Sequence, residues 1–249
     1  MVQHLSSGKN VALIPARIGS KRLPKKNIKI LNGHPLVAYT IAPALKSGVF
    51  EEVIVSTDSE EVAEIAKIYG AQVPKLRPEE FSSDTSSDLE WMEHALREMV
   101  STPQKEIKSI AILRPTNPLR SVESIKLGLK ILLESEWADS VRAMQITDKH
   151  PGKMWKLQEN GHAEPYLSQS DEIIPTHNRP TQTLEKLWIQ NASLEFVKLS
   201  AFLRTRSISG FNVLGIELPE FEGTDINNKY DWEFLEYLVN KYPNLLSQI

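Results

Sequence analysis

The sequence of 249 residues contains no cysteine, which excludes disulfide bonds and thiolate metal sites. Long hydrophobic runs are also absent. The longest nearly apolar stretch, residues 36–45, includes Tyr39, Thr40 and Pro43 and is too short and too polar to cross a bilayer. Residues 1–10 lack the apolar run and the small-residue cleavage site of a secretory signal. We therefore expect a cytoplasmic protein that has no membrane partner.

Acidic residues are missing from the first part of the chain. No Asp or Glu precedes Glu51, whereas eight Lys and Arg do, and six of these lie between Arg17 and Lys29. The whole chain, by contrast, has 32 acidic and 29 basic residues and a net charge of −3. Such a dense local positive charge suits a compact polyanion such as a nucleoside triphosphate, and a solvated basic loop is the alternative. The acidic remainder disfavours extended nucleic acid as a partner.

Several common catalytic and cofactor-binding motifs are absent too. Neither G-x-x-x-x-G-K-[ST] nor G-x-G-x-x-G occurs. The sequence therefore does not favour a P-loop NTPase or a dinucleotide-dependent oxidoreductase. No G-x-S-x-G is present, which excludes a serine nucleophile elbow. The six histidines are scattered without an H-E-x-x-H pair, which disfavours a zinc site.

Short β-branched runs alternate with longer segments of helical period along most of the chain. This alternation is typical of βαβ units and a mostly parallel sheet, and it predicts the α/β fold class with a single domain over residues 1–249. Strands are predicted over residues 11–15, 52–56, 71–76, 109–113, 140–146 and 212–218. Helices are predicted over residues 35–47, 59–69, 87–100, 121–135 and 230–241.

The pattern becomes irregular after Ile146. Residues 159–161 read Glu-Asn-Gly and separate two short apolar runs, which predicts a hairpin. A further strand is predicted over residues 187–197. Because this region, about 150–198, interrupts the α/β alternation, we expect it to form an arm inserted into the core.

The basic segment, residues 15–27, directly follows the first predicted strand. Loops at the carboxyl ends of strands form the ligand crevice of an open α/β sheet, so this segment is placed where a ligand would bind. Gly19 and Ser20 permit close approach of the backbone to phosphate oxygens. Arg17 and Lys21 supply fixed positive charge.

Residues 14–27, followed by Leu-Asn-Gly-His-Pro-Leu at 31–36, resemble the amino-terminal signature of the acylneuraminate cytidylyltransferases, the synthetases of CMP-sialic acid and related CMP-nonulosonic acids. Further matches occur in the expected order, at residues 53–58, 77–79 with 83–85, and 113–120. The resemblance covers nearly the whole chain. It implies a Rossmann-like three-layer nucleotidyltransferase core with a mostly parallel sheet, an inserted dimerisation arm and a homodimer.

The same resemblance implies which residues bind the nucleotide. Arg17 and Lys21 match residues on the phosphates, and Asn27 matches one nearer the cytidine. Arg77 and the turn at 86–88 resemble the stretch that closes around the base and ribose, although a surface charge before a proline is the alternative for Arg77. The implied nucleotide site consists of Ala16, Arg17, Lys21, Asn27, Arg77, Ser86 and Asp88.

Asp225-Ile226-Asn227 matches the place where the family commonly has two aspartates separated by one residue. In an extended segment, positions 225 and 227 point to the same side, where two oxygen ligands can hold Mg²⁺ against a triphosphate. The second ligand here is an uncharged amide, so Asp225 is the expected principal ligand and Asn227 the second. The alternative is that both are turn residues after Gly223. Asp231 is instead expected in the first turn of a helix.

The resemblance also implies a sugar-binding side of the site, formed by Arg114, Lys153, Arg179 and Gln182. The guanidinium of Arg114 can hold the carboxylate of a nonulosonic acid through two parallel hydrogen bonds, and pairing with a carboxylate of the protein is the alternative. Many relatives have Gln at position 114, which leaves the identity of the sugar open. Lys153 resembles a residue that reaches the sugar or phosphate, with an exposed turn lysine as the alternative. Arg179 and Gln182 resemble arm residues that meet the acidic sugar.

These matches predict a cytidylyltransferase that uses CTP and Mg²⁺ to activate an acidic nine-carbon sugar, with the CMP-sugar and pyrophosphate as products. Arg17, Lys21 and Asp225 are the expected catalytic residues, the first two on the departing pyrophosphate and the third on the metal. A nucleotidyltransferase for another base or sugar, such as a sugar-1-phosphate guanylyltransferase, is the close alternative. A CMP-Kdo synthetase is disfavoured because Thr116 stands where that group usually has Asp. A catalytically silent nucleotide-binding module is the remaining alternative, and Asn227 is the residue that permits it.

Overall fold

The structure, a computed structural model, describes residues 8–83, 85–99, 106–167, 174–246 and 249. The chain divides into two units, the first comprising Met1–Ala143 and Asn191–Ile249 and the second Met144–Gln190. The expected arm, about residues 150–198, covers most of the second unit and also the strand residues that follow it in the first.

The strands and helices are numbered here in chain order. The strands are β1 (Lys9–Pro15), β2 (Ile30–Leu31), β3 (His34–Pro35), β4 (Glu52–Ser56), β5 (Ile107–Ile112), β6 (Ser140–Ile146), β7 (Trp155–Leu157), β8 (Ala163–Pro165), β9 (Trp188–Lys198) and β10 (Val213–Glu217). The α-helices are α1 (Ala38–Ser47), α2 (Glu60–Ile68), α3 (Asp88–Arg97), α4 (Val122–Glu134), α5 (Leu199–Thr205) and α6 (Lys229–Lys241).

A six-stranded, mixed but mostly parallel sheet carries the core, with the strand order β10-β6-β9-β5-β1-β4. β1 runs parallel to both of its neighbours, so that Leu13 lies opposite Ile54 in β4 and Ile112 in β5. β9 pairs antiparallel with β5. The carboxyl ends of β1, β4 and β5 therefore meet at one edge of the sheet, where the sequence predicts the ligand crevice.

Alternate residues of β1 face opposite sides of the sheet, and helices cover each side. Ala12 and Ile14 belong to one buried cluster, which includes residues of α1, α2 and α4. Val11 and Leu13 belong to another, which includes residues of α3 and α5. Full burial of each large aliphatic side chain in such a core contributes about 1.5–3 kcal/mol. The three-layer α/β core predicted from the sequence is confirmed.

Side-chain caps fix the starts of the helices that follow the strands. The hydroxyl oxygen of Ser59 accepts a hydrogen bond from the backbone N–H of Val62 at 3.4 Å, at the start of α2. Ser87 and Glu90 form a capping box at the start of α3. Caps of this kind contribute about 1 kcal/mol each. The start of α3 is thus held in place at the same edge of the sheet as the basic loop.

Helix α6 fixes the position of the segment that contains Asp225 and Asn227. Its inner side chains Trp232 and Leu235 pack in one buried cluster with Leu23 of the basic loop and with Ile226. Asp231 closes a capping box in the first turn, which is its predicted position. The segment before α6 therefore lies against the loop that follows β1.

The prediction of a strand over residues 71–76 is wrong. Within this segment only Gln72 pairs with β4, through Ile54, and Pro74 lacks the N–H that a further ladder bond requires. The sequence prediction also misses the short ribbon of β2 and β3, and it misses α5, whose seven residues are too few to show a helical period. The other predicted elements are present with ends shifted by at most three residues. Residue 100, the predicted end of the third helix, and residue 84 of the matched motif lie outside the described residues.

The second unit contains the predicted hairpin. β7 and β8 pair antiparallel, with Lys156 opposite Glu164. Large apolar side chains are exposed on this unit: Met154, Trp155, Leu157, Tyr166, Leu167, Ile174, Trp188 and Ile189. A short hairpin cannot bury so many apolar groups by itself.

The longest helices of the described chain are α4 and α6, with 13 residues each. At a rise of 1.5 Å per residue they extend about 20 Å, whereas the hydrocarbon core of a bilayer is about 30 Å thick. Consistent with this, none of the helices in the described ranges combines the length and the apolar character needed to span a membrane.

Candidate active site

A cleft of about 520 Å³ lies at the carboxyl ends of β1 and β5. This volume is within the range typical of small-molecule sites, roughly 300–1,000 Å³. The lining comes from the loop after β1, from the segment that leads into α3, from the loop after β5 and from the segment before α6. The lining residues are Pro15, Arg17, Ser20, Lys21, Arg22, Lys26, Asn27, Arg77, Phe81, Ser83, Ser86, Asp88, Trp91, Arg114, Pro115, Thr116 and Asn227.

Hydrogen bonds hold the loop after β1 at both of its ends. The backbone N–H of Ala16 donates to a carbonyl of β4 at 2.9 Å, and that of Ile18 donates to Asp58 Oδ1 at 2.9 Å. Further along, Asn27 Nδ2 donates to the carbonyl oxygen of Arg17 at 2.8 Å. The loop is therefore closed on itself, and this closure fixes the backbone that carries its cationic side chains.

Positive charge dominates the cleft. The cationic lining residues are Arg17, Lys21, Arg22, Lys26, Arg77 and Arg114, against one carboxylate, that of Asp88, among the described lining residues. Burial lowers the pKa of Lys26, Asp225 opposes this effect and Arg22 adds to it. Such a concentration of charge is complementary to a triphosphate.

Arg77 is only 6% exposed, so its alternative interpretation as a surface charge is wrong. Its Nε donates to Ser56 Oγ at 3.1 Å and its Nη2 to the carbonyl oxygen of Ser56 at 2.8 Å. The guanidinium lies 5.1 Å from the ring centroid of Trp91. Burial lowers the pKa of Arg77 to about 10, although Asp58 opposes this effect. Arg77 is therefore a fixed cation at neutral pH.

The guanidinium of Arg114 is paired with two carboxylates. Its Nη1 and Nη2 donate to Asp88 Oδ1 and Oδ2 at 3.2 and 2.7 Å, and its Nε donates to Glu195 Oε1 at 3.1 Å. Glu195 Oε2 also forms a salt bridge with Arg142 Nη2, at 2.9 Å. Burial lowers the pKa of Arg114, but the two carboxylates outweigh it and raise that pKa overall. Pairing with protein carboxylates, the alternative given for Arg114, is present in the structure, and its contact with the sugar stays a prediction.

Pairing with Arg114 also changes the pKa of the Asp88 carboxylate. Burial raises the pKa of Asp88, but the hydrogen bond and the charge of Arg114, together with a hydrogen bond from Trp91, lower it overall. Trp91 Nε1 donates to Asp88 Oδ1 at 2.8 Å. The first residue of α3 is thus an ionised acceptor at the wall of the cleft.

Asp225 and Asn227 lie on the same side of their segment, as the alternation predicts. Asn227 Nδ2 donates to Asp225 Oδ2 at 2.5 Å, and Asn227 Oδ1 accepts from Arg22 Nη2 at 3.0 Å. Lys26 Nζ donates to the carbonyl oxygen of Ile226 at 2.5 Å. Among the described residues, no group of three or more His, Asp or Glu side chains is arranged to hold a metal ion. A divalent cation at Asp225 would need further oxygen ligands from water or from a bound molecule.

The structure brings most of the predicted core site together. The predicted residues that line the cleft are Arg17, Lys21, Asn27, Arg77, Ser86, Asp88, Arg114 and Asn227. Ala16 does not line the cleft, because it is fully buried and its backbone N–H donates to a carbonyl oxygen of β4. Asp225 is bonded to the lining residue Asn227 and is not itself part of the lining.

The predicted sugar-binding residues other than Arg114 belong to the second unit. Lys153 Nζ donates to the carbonyl oxygens of His177, at 3.1 Å, and of Arg179. Arg179 Nη2 donates to the carbonyl oxygen of Thr183 at 3.3 Å, and the side chain of Gln182 is exposed. Lys153 thus forms hydrogen bonds within the second unit and is not an exposed turn lysine. The contacts of Lys153, Arg179 and Gln182 with the sugar stay predictions.

Several residues of the cleft are not predicted from the sequence, chiefly Arg22, Lys26, Phe81 and Trp91. The charge density of the basic loop indicates the first two, but it does not say which cations face the cleft. Leu23 turns into the core, and Lys25, at φ +53°, pairs with Glu61 at 2.7 Å outside the lining. No local sequence pattern marks Phe81 and Trp91, because both are ordinary apolar positions beside and within α3.

Comparison with known proteins agrees with this geometry. The family model described as Cytidylyltransferase matches residues 11–210, which is most of the chain. The chain belongs to the cytidylyltransferase family. It is therefore a nucleotidyltransferase enzyme, and the cationic cleft of this cytidylyltransferase lies within the matched residues and the segment before α6.

Two similar proteins are named for a legionaminic acid and for N-acylneuraminate. The chain is 32% identical over 234 residues to the CMP-N,N'-diacetyllegionaminic acid synthase of Legionella pneumophila, with 92% of this chain and 95% of the relative covered. It is 46% identical over 225 residues to the N-acylneuraminate cytidylyltransferase of Escherichia coli, with 90% of this chain and 51% of the relative covered. This cytidylyltransferase thus spans about half the length of the Escherichia coli enzyme.

Solved structures share the fold at low sequence identity. A CMP:2-keto-3-deoxy-manno-octonic acid synthetase, solved in complex with CTP, superposes with a TM-score of 0.65 at 17% identity and covers 94% of this chain and 99% of its own. A cytidylyltransferase of Leptospira borgpetersenii gives a TM-score of 0.56 at 16% identity, with 97% and 99% covered. The Rossmann-like nucleotidyltransferase fold expected from the sequence is therefore confirmed.

Proposed function

We propose that this cytidylyltransferase transfers the cytidylyl group of CTP to a nonulosonic acid. The anomeric hydroxyl oxygen attacks the α-phosphorus, the bond from that phosphorus to the α,β-bridging oxygen breaks, and the hydroxyl proton is released. The products are the CMP-sugar and pyrophosphate. The observation that carries the proposal is the strongly cationic cleft at the carboxyl edge of the sheet, in a chain whose relatives are named for this reaction.

The loop after β1 is proposed to bind the triphosphate. Arg17 and Lys21 contact its oxygens and stabilise the negative charge that develops on the departing pyrophosphate. Ala16 and Asn27 support them by fixing the two ends of the loop, through their hydrogen bonds of 2.9 and 2.8 Å. Preorganised charge of this kind needs little rearrangement when the bond breaks.

The segment that leads into α3 is proposed to hold the nucleoside. Arg77, fixed over Trp91, forms a rigid wall on which a base or ribose can rest. The hydroxyl of Ser86 is held by its hydrogen bond to the carbonyl oxygen of Glu80 at 3.1 Å. The ionised carboxylate of Asp88 is an acceptor suited to the hydroxyl or amino donors of a nucleoside.

Mg²⁺ is the proposed cofactor, and the residues present fit it. Asp225 Oδ2 is bonded to Asn227, while Asp225 Oδ1 accepts no hydrogen bond from the described residues and is an oxygen ligand of the kind that Mg²⁺ takes in addition to substrate phosphates. When bound, the ion supplies a Lewis acid that neutralises triphosphate oxygens. The amide oxygen of Asn227, the second ligand expected from the sequence, is bonded to Arg22, so Asp225 alone is proposed as the direct protein ligand.

The acidic sugar is proposed to bind at Arg114. A guanidinium has five N–H donors, and Asp88 and Glu195 accept from Nη1, Nη2 and Nε of Arg114 once each. One N–H on Nη1 and one on Nη2 are therefore left for the sugar. Lys153, Arg179 and Gln182 are proposed to contact the same sugar from the arm of a second copy.

We propose a homodimer in which the second unit packs against the other copy. Trp155, Leu157 and Trp188 are 48%, 76% and 49% exposed, and large apolar side chains exposed in such number on one small unit are suited to a protein interface. The reaction is proposed to take place in the cytoplasm, where CTP is made, with neither nucleic acid nor membrane as a partner.

The proposal is tested by pyrophosphate release from CTP, ATP, GTP and UTP in the presence of Mg²⁺. Each nucleotide is combined with N-acetylneuraminic, legionaminic and pseudaminic acids, with Kdo and with a sugar 1-phosphate. CTP with at least one nonulosonic acid should turn over far faster than any other pair. Equal turnover of GTP with the sugar 1-phosphate would replace the proposal with a guanylyltransferase, and turnover with Kdo alone would replace it with a CMP-Kdo synthetase.

A matched pair of variants tests the assignment of the basic loop. Lys21→Gln removes a charge that lines the cleft, so kcat/KM should fall by about a hundredfold. Lys25→Gln removes a charge from the same loop, but Lys25 pairs with Glu61 outside the lining, so kcat/KM should stay within about twofold. Equal losses in the two variants would mean that only the net charge of the loop matters.

A further inference from the structure

The side chain of Asn227 links Arg22 to Asp225. Asn227 Oδ1 accepts from the guanidinium of Arg22 at 3.0 Å, and Asn227 Nδ2 donates to Asp225 Oδ2 at 2.5 Å. The two partners determine the orientation of the amide, since only its oxygen can accept from a guanidinium and only its NH₂ group can donate to a carboxylate.

This link places a cation at the rim of the cleft. Arg22 and Asn227 both line the cleft, and the side chain of Arg22 is exposed there. The backbone of Arg22 is held by its neighbour Leu23, which is buried in the cluster that α6 covers. Lys26 lies at the same place, with its Nζ on the carbonyl oxygen of Ile226. The backbone and the side chain of Arg22 are therefore fixed by different contacts that meet beside Asp225.

The neutral amide at position 227 leaves the charge of Arg22 available. An aspartate there would form an ion pair with Arg22 and would repel the carboxylate of Asp225, which lies at hydrogen-bond distance. The amide instead accepts from the guanidinium without neutralising it. No carboxylate among the described residues forms an ion pair with Arg22. The positive charge is thus held in place for a ligand.

We infer that Arg22 is a triphosphate-binding residue of this site and that Asn227 is its positioning residue. The inference rests on the proposed binding of CTP. Arg22 contacts the β- and γ-phosphates, in addition to Arg17 and Lys21, and it does so whether or not a metal ion is present. Asn227 acts through Arg22 and through Asp225 and touches no reacting atom.

The test is binding of CTP and of CMP without metal, in EDTA, measured by titration calorimetry. Arg22→Gln should weaken CTP binding about tenfold, because a charge-assisted hydrogen bond is lost, and should leave CMP binding within about twofold. Arg22→Lys keeps the charge and should lose less. Asn227→Asp should weaken CTP binding without metal because Arg22 is then neutralised. The double variant Arg22→Gln/Asn227→Asp should bind CTP no more weakly than Arg22→Gln alone.

Arg206→Gln is the matched control, since Arg206 is an exposed arginine that pairs with Glu93 outside the lining. Its CTP and CMP affinities should equal those of the wild type. Unchanged CTP binding in Arg22→Gln, or equal losses for CTP and CMP, would overturn the role of Arg22. Unchanged CTP binding in Asn227→Asp, or additive losses in the double variant, would overturn the role of Asn227. A wild-type protein that binds neither nucleotide would instead contradict the proposed function.

Discussion

Individual cations of the cleft differ in how firmly the protein holds them. Arg77 is buried over Trp91, Arg114 is paired with two carboxylates and Arg22 is bonded to Asn227, whereas the side chain of Lys21 is exposed. A fixed charge is aligned before the substrate arrives, while an exposed long side chain loses rotamer freedom when a ligand orders it. We therefore expect Arg77 and Arg114 to set the orientation of the substrates and Lys21 to contribute mainly attraction for the triphosphate.

Arg114→Gln should change both stability and sugar binding. Removal of the guanidinium leaves the carboxylates of Asp88 and Glu195 without this partner in a largely buried setting, so the free energy of unfolding should fall by about 3 kcal/mol in urea titrations. The KM for the sugar should rise about tenfold, because a cationic donor is lost, with the KM for CTP nearly unchanged.

The double variant Asp88→Asn/Arg114→Gln is the stability control for this prediction. It removes the charge of Asp88, one of the two carboxylates that lose their ion pair with Arg114 in the single variant, so it should be more stable than Arg114→Gln alone. A wild-type sugar KM in Arg114→Gln, with only the stability lowered, would assign Arg114 to the scaffold.

His94 of α3 has an environment that disfavours its charged form. It is 6% exposed, and its Nε2 has no hydrogen-bond partner among the described residues. Burial lowers the pKa of His94, Glu98 opposes this effect, and Lys75, Arg97 and Arg77 lower the pKa further. The folded protein therefore resists protonation of this ring more than the unfolded chain does.

The stability of the protein should consequently fall in mild acid. Below the unfolded value of about 6.5, the unfolded chain binds a proton at His94 that the folded protein binds only at lower pH, so the free energy of unfolding decreases as the pH falls. His94→Gln removes this contribution, and its melting temperature should vary less between about pH 7.5 and pH 5 than that of the wild type. His162→Gln, at an exposed position, should keep the wild-type dependence. The same pH dependence in all three proteins would show that His94 does not contribute to it.

At the scale of the elements, α4 packs directly against β9 at Gly128. A Cβ atom at this position would lie 2.7 Å from Leu194 Cδ2 and 2.8 Å from Phe196 Cε2, which is closer than packed carbon atoms tolerate. Gly128→Ala should therefore lower the free energy of unfolding by about 1–3 kcal/mol, although alanine is the better helix former. Lys126→Ala, on the exposed face of the same helix, should be neutral or slightly stabilising in the same urea titration. A more stable Gly128→Ala would mean that the helix shifts away without cost.

Elements with a regular burial pattern are the ones that the sequence predicts. β4 and β6 are fully or largely buried strands, and their predicted bounds agree with the structure. The segment 71–76 fails because Pro74 interrupts an otherwise apolar run. The contacts of the site are harder to predict, since Arg22 and Asn227 are 205 residues apart and Arg114 and Glu195 are 81 apart. Sequence patterns of local period contain no information on such pairs, and only the resemblance to a family indicates which residues meet.

At the scale of the whole molecule, the proposed site combines residues of two copies. The core supplies the cleft, and the second unit carries Lys153, Arg179 and Gln182 together with exposed aromatic and aliphatic side chains. If an arm acts in the site of its partner, then a defect in the core and a defect in the arm can be placed on different chains. Such defects complement each other only in a mixed dimer.

Mixing two inactive variants tests this arrangement. Asp225→Asn should lose about a hundredfold or more of its turnover through the proposed metal site, and Arg179→Ala should lose the proposed sugar binding. After equimolar refolding or exchange, half of the dimers are mixed and each has one intact site, so about a quarter of the wild-type activity should return. If each arm contributes to the site of its own chain, no activity should return on mixing. Light scattering that shows only monomers would also contradict the arrangement.

The most direct measurement of the proposed function follows the oxygen atom that forms the new bond. A nonulosonic acid labelled with ¹⁸O at the anomeric hydroxyl is incubated with CTP, Mg²⁺ and the purified protein, and the products are analysed by mass spectrometry and ³¹P NMR. Attack of the sugar hydroxyl on the α-phosphorus predicts a CMP-sugar that retains the label in its phosphodiester bridge, with unlabelled pyrophosphate in equal amount. A product without the label in the bridge, label in the pyrophosphate, or no CMP-sugar with any nonulosonic acid would contradict it.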